Sequence, residues 1–101
     1  MRRYKLHKIA ELENFENVIQ FTDQPEHDDF RYYGTWAKDH FKNNNPISLE
    51  LACGKGAYTL ALAEKYPDIN FIGVDMKGSR LWTGCVEARK RGLTNVAFLR
   101  I

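Results

Sequence analysis

Several features are nearly missing from this 101-residue chain, and each absence excludes something. Cysteine is scarce: Cys53 and Cys85 lie far apart and match no metal-ligand spacing. A disulfide framework is therefore not expected, and reduced thiols in a cytoplasmic protein are the simpler reading. No apolar run approaches the ~20 residues that a membrane span needs. The basic start (Arg2, Arg3, Lys5, Lys8) is followed by no apolar h-region, so it does not read as a secretory signal. Charge of one sign is not in excess either. A net charge of +2 does not by itself announce a nucleic-acid binder. His27-Asp28-Asp29 has no further ligand nearby, and no metal site is expected. Internal repeats and low-complexity tracts are absent.

What is present is ordinary for a globular protein: 44% hydrophobic and 28% charged residues, in a length that suits one domain at most. Residues 1–45 read as an N-terminal arm, partly helical or disordered. Leu6, Ile9 and Leu12 have helical spacing between Lys5 and Glu13. The stretch from Phe21 to Asp29 is acidic and turn-rich, and Phe30 to Tyr33 carries three aromatics. Thr35 is a candidate cap for a short helical stretch ending at Phe41, with Trp36 and Phe41 as anchors. Asn43-Asn44-Asn45-Pro46 stops it, because a residue before proline is pushed out of the α region.

From residue 46 the pattern sharpens. Ile47, Leu49 and Leu51 alternate along a strand that ends at Ala52, with Glu50 as its single charge. A helix is expected from Gly54 to Tyr66, stopped by Pro67. Asn70 to Asp75 is a near-continuous apolar strand, as in a sheet covered on both faces. Ser79 to Arg91 is a second helix, with Leu81, Trp82, Cys85, Val86 and Arg89 on one stripe and Gly92 as its C-terminal glycine. Val96 begins a third strand. This β-α-β-α-β series is the N-terminal half of a Rossmann-like α/β sheet, with strand order 3-2-1.

The end of the first strand carries the chemistry. Gly54 and Gly56 allow a ligand to approach the backbone closely. The N–H groups of the following helix point at whatever binds there. Asp75 ends the second strand about 20 residues later, where a carboxylate accepts ribose hydroxyls. A dinucleotide fingerprint would need a third glycine where Thr59 stands, and no P-loop sequence is present. A carboxylate at Glu50 suits a cationic ligand better than a phosphate. The run E-x-A-C-G-K-G from Glu50 through Gly54 to Gly56, with Asp75 beyond it, resembles the E/D-x-G-x-G-x-G of S-adenosylmethionine methyltransferases, and that resemblance implies S-adenosylmethionine, whose sulfonium and ammonium groups are positive. Cys53 beside the turn has no paired base and reads as a small buried residue. Lys55 reads as a solvated turn residue.

The flanks extend the pattern. Tyr33-Gly34-Thr35-Trp36, then Asn44-Asn45-Pro46-Ile47-Ser48-Leu49-Glu50-Leu51-Ala52-Cys53-Gly54-Lys55-Gly56, then Tyr66 to Asp75, then Gly92-Leu93-Thr94-Asn95-Val96, resemble the bacterial tRNA (guanine-N7)-methyltransferase family. The resemblance covers roughly residues 33–101. It implies a Rossmann-like S-adenosylmethionine-dependent methyltransferase acting on a guanosine of tRNA. It also implies that Glu50 and Asp75 are the family's first two acidic cofactor positions. Ala52 departs from the pattern, standing where the turn's first glycine is usual. The family's third acidic cofactor contact and its substrate-side residues come later than Ile101. The chain is thus expected to be an N-terminal portion, inactive alone, with no catalytic residue named within it. Two other readings stand beside this one: a methyltransferase of another substrate, and a non-catalytic binding or assembly fragment that self-associates through an exposed strand 47–52.

Overall fold

The structure, a computed structural model, describes residues 2–20 and 34–101, with side chains from Leu6 onward. The acidic stretch 21–29, the His27-Asp28-Asp29 run and the aromatics at 30–33 lie outside the described residues, as do the side chains of Arg2, Arg3 and Lys5.

The elements are α1 (Arg2–Glu11), β1 (Val18–Gln20), a π-helical turn (Trp36–Phe41), β2 (Ile47–Leu51), α2 (Ala57–Lys65), β3 (Asn70–Asp75), α3 (Gly78–Lys90) and β4 (Val96–Arg100). The four strands form one parallel sheet in the order β1-β4-β3-β2. The three strands expected from the sequence therefore lie in the expected order 3-2-1. β1 adds a fourth, outside β4, pairing Val18 with Phe98. Its three residues are too short to have stood out by alternation.

β3 is central and all six of its residues are buried, which is why its apolar run does not alternate. Phe71 faces one side of the sheet, together with Val96 and Phe98 of β4, Leu60 and Ala63 of α2, and Leu81, Cys85 and Ala88 of α3. Leu12, Phe15 and Val18 of the N-terminal segment complete that core. Ile72, Val74 and Ala97 face the other side, where Trp36, Phe41 and Leu99 pack on them. The two anchors read from the π-helical stretch thus do hold it to the sheet. Thr35 does not cap it: its side chain makes no cap hydrogen bond, and its carbonyl accepts the Asp39 N–H at 2.8 Å instead.

Polar residues that look like loop filler tie these elements down. Asn43 and the buried Asn70 exchange side-chain amide hydrogen bonds at 3.1 and 2.7 Å, fixing the start of β3 to the approach of β2. The buried Asn95 donates to the carbonyls of Ala63, Tyr66 and Ile69 at 3.1, 3.2 and 2.9 Å, satisfying groups that the end of α2 leaves open. At the end of α3, Gly92 has φ +67°, its N–H donates to Arg89 O and the Leu93 N–H donates to Ala88 O. That is the Schellman arrangement expected of a glycine there.

β2 is the open edge of the sheet. Leu49 is 61% exposed and Leu51 74%. Among the described residues, nothing covers this edge as Trp36 and Phe41 cover Ile72 and Val74.

Candidate functional site

At the ends of β2 and β3 the backbone reverses in a compact turn. Ala52, Gly54 and Gly56 all have positive φ, at 56°, 61° and 78°. The Cys53 N–H continues the sheet by donating to Val74 O at 2.9 Å, and the Gly56 N–H closes back on Cys53 O at 3.0 Å. Leucine 60's N–H then donates to Gly56 O at 2.8 Å, starting α2. Ala52 stands in the left-handed region, where an L-residue with a Cβ is strained. This gives a physical meaning to its departure from the glycine usual at that place.

The two glycines read as ligand-facing do different work. A Cβ on Gly54 would meet nothing within 4 Å, so this face of the turn is open to an approaching ligand. A Cβ on Gly56 would lie 2.8 Å from the Phe98 ring, so Gly56 is fixed by packing as well as by its φ. Gly73 and Gly84 face the same ring, with Cβ positions 3.0 and 2.8 Å from it. Phe98 therefore fills a slot floored by β3 and walled by the turn and by α3. Gly84 also lets the Lys55 carbonyl come to 2.9 Å of where a Cβ would be.

Asp75, only 8% exposed, ties the turn to the second strand. Its Oδ2 accepts the Gly54 N–H at 2.8 Å, and its Oδ1 accepts the Lys77 N–H at 2.9 Å. The Lys77 N–H foremost, then the Gly54 and Met76 N–H groups and the Arg80 charge, hold its carboxyl below the usual range near 3.8, against the opposing effect of burial. With about four lone-pair sites on its two oxygens, the carboxylate keeps acceptor capacity for an incoming donor. Glu50 sits opposite Gly73 in the β2–β3 register. Its Oε1 accepts a hydrogen bond from the hydroxyl of Thr59, a buried residue of the first turn of α2.

The four residues singled out from sequence are thus brought to one edge, with Glu50 and Asp75 flanking the turn. Cys53 lies beside them, its thiol pushed up to about 12 by burial and then by the Asp75 and Glu50 charges. Such a thiol is not a nucleophile at neutral pH. Lys55 is exposed, in keeping with a solvated turn residue. The edge is an open face. A cleft of about 490 Å³ lies instead at the starts of the strands, lined by Asn17, Glu16, His40 and Arg89 among others. Among the described residues no group of three potential ligands could hold a metal ion.

Thr59, Phe98 and Gly84 were not legible as parts of this edge. Thr59 stood out only as a missing glycine. A polar residue among Leu60 and Ala63 on a helix face, and a glycine inside a helix, were the available signals.

A family model described as "Putative methyltransferase" matches residues 44–101. The chain belongs to that methyltransferase family. Among curated relatives, a tRNA (guanine-N(7)-)-methyltransferase of Christiangramia forsetii is 53% identical over 97 residues, covering 95% of this chain and 43% of the relative. One of the same name from Bacteroides fragilis is 46% identical over 101 residues, covering 99% of this chain and 40% of its own length. The chain therefore spans about two fifths of the length of these relatives. Among solved structures, PKMT2 from Rickettsia typhi aligns with a TM-score of 0.52 and 27% identity, covering 57% of this chain and 12% of that one. Coclaurine N-methyltransferase bound to N-methylheliamine and SAH aligns over the whole chain and 38% of its own, with a TM-score of 0.54 and 18% identity, a likeness of fold. The methyltransferase family and the parallel sheet agree with the α/β reading of the sequence.

Proposed function

We propose that this chain carries the first half of the cofactor site of an S-adenosylmethionine-dependent enzyme that methylates guanine N7 in tRNA. The observation that carries the reading is the open left-handed turn at Gly54, tied by its N–H to Asp75 and flanked by Glu50. The curated relatives' names support the substrate.

The residues fit the cofactor's chemistry. The bare face of Gly54 admits the ligand to the backbone, and Gly56 keeps the turn in register with α2. Asp75 has acceptor capacity left for a ribose diol. Glu50 has a carboxylate oxygen, Oε2, for the ammonium of the methionine part. The cofactor supplies an electrophilic methyl on a sulfonium. Bound there, it would offer that methyl to the lone pair of guanine N7. N7 has no proton to lose, so no general base is needed, and orientation with electrostatic stabilisation carries the rate. No residue of this chain is assigned to hold guanine. The 101-residue chain by itself is expected not to turn over. This reading puts the protein in the cytoplasm, with tRNA as its partner.

Two measurements test it. Titration calorimetry of the chain with S-adenosylhomocysteine should show binding that Asp75→Ala abolishes. A longer protein containing this chain, incubated with S-adenosylmethionine and tRNA, should yield N7-methylguanosine on nucleoside analysis. A product methylated at another atom, or none, would remove the substrate assignment.

A further inference from the structure

Threonines in helices usually turn the hydroxyl back to a carbonyl of the preceding turn. Thr83 in α3 does this, donating to Ser79 O at 3.5 Å. Thr59 does not follow that habit. The carbonyl four residues back is that of Lys55, which lies before α2 and packs against Gly84. Thr59 is 1% exposed, on α2 with the buried Leu60 and Ala63. Its hydroxyl instead crosses to β2 and donates to Glu50 Oε1. Glu50 needs such a partner. It stands on the edge strand, opposite a glycine that offers no side chain to pack against. Among the described residues, no other hydrogen bond to its carboxylate is formed.

We infer that Thr59 is a positioning residue: it holds one oxygen of Glu50 against α2 and leaves the other aimed at a ligand's ammonium group, so that it sets preference for ligands bearing a free amino-acid end. This rests on the cofactor reading proposed above. An ionised carboxylate only accepts hydrogen bonds, and a hydroxyl donor fixes one oxygen without neutralising the charge. The negative charge thus stays available to a cation, in a fixed rotamer, and less ordering remains to be done on binding.

The test compares two ligands on the 101-residue chain by calorimetry. S-adenosylhomocysteine carries the amino-acid end, and 5′-methylthioadenosine lacks it while keeping the adenosine thioether. Wild type should prefer the former. Thr59→Val should weaken S-adenosylhomocysteine about tenfold, a change of ~1.4 kcal/mol, and leave 5′-methylthioadenosine unchanged. Thr59→Ser should restore the preference. Glu50→Gln should lower the same preference, and adding Thr59→Val to it should lower it no further. Thermal melts check that each variant folds; should Thr59→Val not fold, the Thr59→Ser and Thr59→Ala pair is read in the same way. Equal weakening of both ligands by Thr59→Val would mark a packing role, and an unchanged preference would remove any role; either overturns the inference while the cofactor site stands. Wild type binding neither ligand would overturn the site itself.

Discussion

Single residues at the turn carry opposed demands. Ala52 adopts φ 56° where glycine is at ease, so Ala52→Gly should relieve strain and raise stability by about 0.5–1 kcal/mol, after allowing for glycine's added freedom in the unfolded chain. Thermal or urea denaturation of the variant checks this; a lower midpoint would mean that the alanine methyl packs more than its strain costs. Asp75 works in the opposite sense. Its carboxyl is held low in the fold, so its contribution is present above the ordinary carboxylate range and lost as pH falls through the lowered value. Asp75→Asn should therefore destabilise by roughly 1–3 kcal/mol at neutral pH, because an amide cannot accept both N–H groups as the carboxylate does. The gap from wild type should close as the pH falls below about 3.8. A gap that is independent of pH would assign the loss to shape rather than charge.

At the scale of elements, the glycine turn is held less by its own sequence than by what presses on it. Phe98 of β4 meets Gly56, Gly73 and Gly84, and α3 approaches so closely that the Lys55 carbonyl sits against Gly84. Gly84→Ala should gain about 1 kcal/mol of helix propensity and lose about 1–3 kcal/mol to overpacking. The loss should win, because one of the two atoms in the way is backbone. Denaturation midpoints should fall, and S-adenosylhomocysteine binding should weaken beyond what stability alone explains, since the displaced carbonyl belongs to the turn. Unchanged binding in a folded Gly84→Ala protein would show that α3 and the turn are independent.

The N-terminal segment illustrates what an element-level reading of sequence can and cannot reach. Helical spacing at Leu6, Ile9 and Leu12 was legible, and α1 is there. That Leu12, Phe15 and Val18 would enter the core, and that β1 would pair with β4, was not legible. Three residues are too few to show a period, and a parallel partner 80 residues away leaves no local mark. Lys8 over the Trp82 ring at 4.8 Å and Arg89 over Phe15 at 5.0 Å are likewise contacts between distant elements. They lay α1 and the segment after it along α3.

For the molecule as a whole, the sheet ends at β2 with Leu49 and Leu51 uncovered. An apolar parallel-sheet edge invites a further strand. We propose that the 101-residue chain self-associates through residues 47–52, and sedimentation should show species heavier than the monomer that dissociate on dilution. Leu49→Lys with Leu51→Lys should shift the population to monomer without unfolding it. A wild-type chain that is monomeric at all concentrations would remove this proposal.

Much of the site was determined by sequence alone, because each part rests on a local rule. Glycine tolerates a positive φ wherever it occurs, a proline ends a helix, and an uninterrupted apolar run marks a covered strand. Those rules located the three main strands, the turn at Gly54 and Gly56, and the acids at Glu50 and Asp75. Only the tertiary structure decided how the parts hold one another. Asp75 reaching back to the Gly54 N–H, Thr59 turning its hydroxyl to Glu50, and Phe98 settling among three glycines each join residues on different elements. Such contacts depend on distances set by the packing of whole strands and helices, for which no spacing along the chain is a substitute.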